Sequence, residues 1–505
     1  MSQAERGGSG EHTLYYIGID LGTSAVKLLL VDGEGSIVNV VSRSYKVDYP
    51  HPGWSQQNPK DWWDAVVEGV HELTAGIDAS RVRAIGTGGQ MHGLVALDAA
   101  GEVIRPCILW NDGRTEEEVQ YLNEQVGRER LSELTGNIAF AGFTAPKLLW
   151  MRKHEPKNYE RVAHIMLPKD YLTYRMTGEF ATDYSDASGT LLLDVKHRCW
   201  SAEMLEICGV NRAWMPRLCD SAEAVGALSD VSADALGLPS GVVVAAGAGD
   251  NAAAAIGCGA VAAGSCNISL GTSGTIFIPN DSFRMDGQNA LHSFDYVEGR
   301  YHLMGCILSA ASCAGWFMGE VLQADDFDAE EAELSPAVAT PDLPYFLPYL
   351  MGERSPHNDT TARGAFVGMR ADTTRAQMVR AVREGVAFAI RDCVEVARSE
   401  GIDIRASTLC GGGSKSALMR QMLANALNMR LDLPKTEQGP GFGAALLAMV
   451  ATGDAPSVET CASGIVRMRG SVAPQEEAVG AYEARYGVWR QLYSALKPIY
   501  QQMLR

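Results

Sequence analysis

Asp250 lies in Gly247-Ala248-Gly249-Asp250-Asn251, a carboxylate whose neighbours are too small to keep a substrate from the backbone. Such a carboxylate suits a general base that takes the proton of an attacking hydroxyl, and the Asn251 amide suits hydrogen bonds to further hydroxyls. The same aspartate also fits a cap for the Ala-rich helix that follows. A second carboxylate, Asp20, stands in Ile19-Asp20-Leu21-Gly22-Thr23-Ser24. That stretch returns half a chain later as Ile268-Ser269-Leu270-Gly271-Thr272-Ser273. Each copy joins two strand-like runs, Tyr15–Ile19 to Val26–Val31 and Cys266–Ile268 to Thr275–Pro279, so one hairpin is used twice. A Gly-Thr-Ser turn offers close backbone approach, N–H groups and hydroxyls, which together suit a phosphate. Two such turns, with Thr23 and Ser24 in one and Gly271 and Thr272 in the other, could hold both ends of a triphosphate. Ser269 replaces Asp20 in the second copy, and Ile276 replaces Lys27. One carboxylate and one ammonium in a single copy fit Mg²⁺ and phosphate charge handled on one side. The alternatives are an Asp20 that merely shapes its turn and a solvated Lys27.

Three further clusters carry polar chemistry. Met91 and His92 sit in Gly89-Gln90-Met91-His92-Gly93, where glycines on both sides leave the imidazole open to a ligand; a structural histidine is the alternative. Trp110-Asn111-Asp112-Gly113-Arg114 reads equally as a specificity loop or as a loop salt bridge. Cys410-Gly411-Gly412-Gly413-Ser414-Lys415-Ser416 follows a strand-like run (Ser407–Cys410) and precedes a helix (Ala417–Leu427). Three glycines before a helix N-terminus suit a nucleotide. In Gly439-Pro440-Gly441-Phe442-Gly443-Ala444-Ala445 one phenylalanine intrudes among small residues.

The elements that must position these residues alternate along the chain. Tyr15–Ile19, Val26–Val31 and Ile37–Tyr45 read as an antiparallel meander. Pro59–Ile77 has helical spacing at Trp62, Val66, Val70 and Leu73, and Val82–Gly86 and Leu94–Leu97 are further strands. Gly241–Ala263 reads as a buried strand, a turn and a tightly packed helix. Arg375–Glu400 is a long helix ended at Gly401, and a last helix runs over about Val479–Leu504 with Pro498 bending its end. This order predicts an α/β fold, and 505 residues exceed what one core supports. A formal net charge of −18 disfavours nonspecific binding to nucleic acid or anionic membranes. The 11 cysteines lack metal-ligand spacing and read as reduced thiols of a cytoplasmic protein. Residues 1–12 are polar and glycine-rich and read as a disordered tail without a targeting segment.

Ten stretches in a fixed order resemble the FGGY family of carbohydrate kinases. They are IGIDLGTSAVK (17–27), GQMHG (89–93), ILWNDGR (108–114), GFTAPKLLW (142–150), LPKDYL (167–172), GAGDNAAAAIG (247–257), SLGTSG (269–274), FLPYLMGERSPH (346–357), GAFVGM (364–369) and CGGGSKS (410–416). The resemblance covers nearly the whole chain. It implies two actin-like, ribonuclease-H-like domains, about 13–241 and 242–505, with ATP and sugar in the cleft between them. The last helix is expected to cross back to the first domain. The resemblance makes Asp250 the catalytic base, places Gly411, Gly412, Gly413, Ser414 and Lys415 by the adenosine, and puts Trp316 near the nucleotide unless it is a core residue. Met91 and His92 would contact a ketose, as in the branch acting on D-xylulose. ATP with Mg²⁺ is the implied co-substrate, and a homodimer is ordinary for the family. The competing readings are a related kinase for another ketose, polyol or sugar acid, and an actin-like ATPase that takes no sugar.

Overall fold

Both copies of the repeated hexapeptide end one strand and turn into its hairpin partner. In the computed structural model, which describes residues 13–332, 334–335 and 343–503, β1 (Tyr15–Leu21) pairs with β2 (Ala25–Asp32) and β2 with β3 (Ile37–Ser44), all antiparallel. Every residue of Ile17–Ile19 is buried, as a strand covered on both faces requires. The polar tail predicted for 1–12 lies outside the described residues.

The chain divides into two compact units. Unit 1 comprises the residues up to Val261, Ser293–Tyr301 and Gln438–Val466; the remainder forms unit 2. The sheet of unit 1 adds β4 (Val82–Gly89), β5 (Ala224–Ala227), β6 (Val243–Ala245) and β7 (Ala248–Gly249). Its strand order is β5-β6-β4-β1-β2-β3, with β7 also on β4. Strands β1, β6 and β7 all run parallel to β4. Helix α1 (Pro59–Thr74) starts at Asn58, whose side chain accepts from Lys60 N, and buries Trp62, Val66, Val70 and Leu73 with the sheet residues Ile17, Leu28 and Ile85. Further helices are α2 (Pro168–Thr177), α3 (Asp250–Gly257) and α4 (Gly439–Ala451).

Two features differ from the domain division read in the sequence. The switch lies at Val261 and not near 241, because β6 and β7 pair with β4 and α3 packs against α4. Asp250 therefore belongs to unit 1. The segments that return to unit 1 are Ser293–Tyr301 and Gln438–Val466, and not the last helix, which is two helices, Glu476–Trp489 and Leu492–Met503, in unit 2. Small residues explain the return. A Cβ on Gly18 would stand 1.9 Å from Gly441 O, one on Gly86 1.9 Å from Ala444 O, and one on Gly443 1.9 Å from Ala253 O. Helix α4 thus lies on the backbones of β1, β4 and α3, which only glycine permits. Phe442, the bulky exception, is buried as well.

Unit 2 repeats the local plan. Strand β8 (Asn267–Leu270) forms a hairpin with β9 (Gly274–Asn280) and runs parallel to β10 (Ala406–Cys410). The helix Arg375–Ser399 is buried on every side over residues 379–391, begins in a capping box at Thr374 and Gln377, and is followed by Gly401 at φ +78°.

Candidate active site

Register brings the two carboxylates of unit 1 together. Asp20 of β1, Gly88 of β4 and Ala248 of β7 lie side by side, followed by Leu21, Gly89 and Gly249. Asp20 and Asp250 therefore emerge at the same end of three adjacent parallel strands, and the strand between them carries two glycines there. Ligands of open α/β sheets bind outside the carboxyl ends of such strands. Burial, and then the Asp20 charge, push the Asp250 carboxyl up to about 7, against the stabilising Asn251 N–H and amide. Burial likewise pushes Asp20 up to about 6, opposed by Lys27, its directly paired neighbour on β2. A carboxylate near neutrality is matched to proton abstraction at working pH.

Asp250 opens α3 but does not cap it. The cap position is Gly249, which makes no side-chain bond, and Asp250 Oδ1 accepts from Asn251 N (2.7 Å) and Asn251 Nδ2 (2.9 Å). Both bonds fall on one oxygen, Oδ1.

Met91 and His92 follow β4 directly. A Cβ on Gly249 would stand 2.9 Å from Met91 Sδ, so the missing side chain lets the thioether lie beside the Asp250 peptide. His92 takes φ +70°, its Nδ1 is 2.8 Å from Gly189 O, and its ring lies 4.8 Å from Phe143. Its carbonyl accepts from Thr144 Oγ1 (3.0 Å) and Lys147 Nζ (2.9 Å). Burial pushes the Lys147 ammonium down to about 7. Four groups thus hold His92, whose backbone is in a left-handed conformation that non-glycine residues adopt only under constraint.

At the first Gly-Thr-Ser turn, Thr23 Oγ1 donates to Gln90 Oε1 (3.2 Å) and accepts from Trp110 Nε1 (3.0 Å). Ser24 is exposed and Lys27 half-buried. Asp112 and Arg114 form a fully buried ion pair of 2.7 Å under Trp54, which is the salt-bridge reading of that loop. The sequence reading missed a buried cluster beneath Gly247–Asp250, formed by Lys169, Asp170, Asp183 and Asp186. Its signal was the pair Lys169-Asp170 inside the apolar run Ile165–Leu172.

The residues singled out in unit 2 also converge on each other. Ser269 pairs with Cys410, and the glycine loop crosses the end of β8. Gly411 has φ +84°, and a Cβ there would lie 2.7 Å from the Leu270 carbonyl carbon. Gly412 faces open space. The carbonyls of Gly271 and Thr272 accept from Ala311 N (3.0 Å) and Ala310 N (2.9 Å). Lys415 is exposed, and Trp316, 38% exposed, is not a core residue.

Family models describe both parts of this arrangement. Residues 15–257 match the N-terminal domain, and 266–452 the C-terminal domain, of the FGGY family of carbohydrate kinases. The xylulose kinase of Escherichia coli (strain K12) is 42% identical over 486 residues, 96% of this chain and 99% of that protein. A solved structure of a "xyloylose kinase" from Brucella ovis superposes with a TM-score of 0.91 at 40% identity, covering 96% of this chain and 100% of the other. A gluconate kinase from Lactobacillus acidophilus superposes with a TM-score of 0.92 at 27% identity, covering 97% and 100%.

Proposed function

The chain belongs to the FGGY family of carbohydrate kinases, and from that membership we propose that it phosphorylates D-xylulose with ATP, giving D-xylulose 5-phosphate. The observation that carries the reading is the Asp250 carboxyl, brought near neutrality between Asn251 and the Met91-His92 pair. Asn251, Met91 and His92 orient the ketose, and a site built on such bonds rejects sugars that lack the matching hydroxyls. Asp250 takes the proton of the 5-hydroxyl as its oxygen bonds to the γ-phosphorus and the bond to the β-phosphate oxygen breaks, releasing ADP. Thr23, Ser24 and Lys27 from unit 1, and Gly271 and Thr272 from unit 2, bind the phosphates. Gly411, Gly412, Gly413, Ser414, Lys415 and Trp316 bind the rest of the nucleotide.

Asp20 fits Mg²⁺ because burial raises its carboxyl and its charge in turn raises that of Asp250, a cost that a cation would lower. Among the described residues no three His, Cys, Asp or Glu side chains cluster as a metal cage. That suits an ion held by one carboxylate and the substrate phosphates. When bound it supplies positive charge against the phosphoryl oxygens.

The test is an ADP-release assay with ATP and Mg²⁺ across D-xylulose, D-ribulose, L-ribulose, L-xylulose, D-fructose, glycerol and gluconate. D-xylulose is expected to give the highest kcat/KM. A different winner reopens the roles of Met91 and His92, and no release above the sugar-free rate overturns the kinase reading. Asp250→Ala is expected to lose about 10²–10⁴-fold in kcat, the range of a general base, while still binding sugar and ATP.

A further inference from the structure

The LPKDYL stretch places a lysine where the proposed reaction has no direct use for it. Lys169 opens α2 and is fully buried. Its stem passes under the end of β4, so close that a Cβ on Gly89 would meet Lys169 Cβ at 2.9 Å. Its ammonium lies 2.6 Å from Asp170 Oδ1, 2.9 Å from Asp183 Oδ1, 3.9 Å from Asp186 Oδ2 and 3.4 Å from the carbonyl of Ala246. Burial alone would strip the proton from this lysine, but the three aspartates outweigh it and hold the ammonium charged.

From Asp183 the network runs to the base loop by two routes. Asp183 Oδ2 accepts from Ser185 Oγ (2.6 Å) and from Ser221 Oγ (2.8 Å). Ser185 Oγ in turn accepts from Gly249 N (3.1 Å), the amide just before Asp250. The Ser221 carbonyl accepts from Gly247 N (3.0 Å). With Lys169 on Ala246 O, three anchors, at residues 246, 247 and 249, thus connect to one buried ion pair, the one at Gly247 through Ser221. Four of the five residues in the stretch 246–250 are glycine or alanine, so the loop has little side-chain packing of its own to fix it.

We propose that Lys169, acting through Asp183 and Ser185, is a positioning residue that fixes the Gly247–Asp250 loop and thereby aims the Asp250 carboxylate at the sugar hydroxyl. The proposal rests on the reading of Asp250 as the base.

Two variants test it, Lys169→Met and the gentler Ser185→Ala, which leaves the ion pair intact. Amide hydrogen exchange over residues 246–250 is expected to accelerate in both. In steady-state assays with ATP, kcat for D-xylulose is expected to fall about 10–100-fold, the scale of a misplacement near an ångström, while KM for D-xylulose changes little. Loss of packing alone would lower the melting temperature without this split. Should Lys169→Met fail to fold, Ser185→Ala decides. Unchanged exchange of the loop in folded Ser185→Ala, or wild-type kcat in it, overturns the proposal. If wild-type enzyme ignores D-xylulose but the loop still loosens in both variants, the positioning role stands and the sugar assignment fails.

Discussion

Asp20 and Asp250 lie at one end of the same sheet, where the Asp20 charge makes Asp250 harder to ionise. Asp250 must be ionised to accept a proton, and its carboxyl stands at about 7 through burial first and the Asp20 charge second. The kcat/KM profile, which reports the free enzyme, is therefore expected to fall as pH drops through about 7. Asp20→Asn removes the repelling charge and keeps the shape, so the acid limb should move to lower pH while activity at limiting Mg²⁺ declines. An acid limb that stays in place in Asp20→Asn would show that the two carboxylates do not interact. Because the pair is coupled, the limb belongs to both groups and not to Asp250 alone. At this scale the sequence singles out polar residues flanked by small ones, as at Asp250 and His92, and the structure sets both close to the end of β4. The sequence marked Lys169 only as part of a charged pair in an apolar run and was silent on its pairing with Asp183, which spans two elements and leaves no periodic trace. Asp112 and Arg114 left two readings open, and only their burial and the 2.7 Å contact decide for a structural clasp.

Among the elements, α4 shows best how a glycine pattern becomes architecture. In the sequence it reads only as a small-residue stretch with Phe442 intruding, yet the structure lays it against β1, β4 and α3 of unit 1. Local spacing cannot reveal this, because the partners Gly18, Gly86 and Gly257 are hundreds of positions away. Hairpins and amphipathic helices were legible because their periodicity is local: β1 to β3, α1 and the helix Arg375–Ser399 appear where the pattern put them. Gly443→Ala would place a methyl 1.9 Å from Ala253 O and push α4 off α3, the helix that begins at Asp250. Overpacking of this kind costs about 1–3 kcal/mol or more, and kcat should fall with it as α3 shifts. Gly480→Ala is the matched control. It lies inside the helix Glu476–Trp489 with nothing within 4 Å of the added methyl. There alanine should stabilise by roughly 0.5–1 kcal/mol through helix propensity. Denaturant melts of both variants check the opposite signs, and a destabilised Gly480→Ala together with a neutral Gly443→Ala would refute the packing account.

On the proposed reading, labour divides along the duplicated hairpin. Asp20, Lys27 and Asp250 fall in unit 1, and the residues assigned to most of the nucleotide fall in unit 2, where Ser269 and Ile276 stand in place of the charged pair. That asymmetry was legible as soon as the two hexapeptides were aligned. What could not be read was that unit 1 is assembled from three separate stretches of chain. Its parallel strands β1 and β4 carry α1 on one side, and the other face meets α4, which arrives only with residues 439–451. A parallel sheet is stable when both faces are covered. A fragment ending at Val261 has every strand of the unit 1 sheet but lacks α4 and its buried Phe442, Leu446, Leu447 and Met449. It is expected to keep secondary structure but lose fixed packing, with a weak near-ultraviolet circular dichroism signal and a broad thermal transition. Supplying residues 293–301 and 438–466 on linkers should restore a cooperative transition. If the fragment ending at Val261 already melts cooperatively, α4 is an accessory to unit 1 and not part of its core, and the backbone contacts at Gly18 and Gly86 must then contribute far less than their closeness implies.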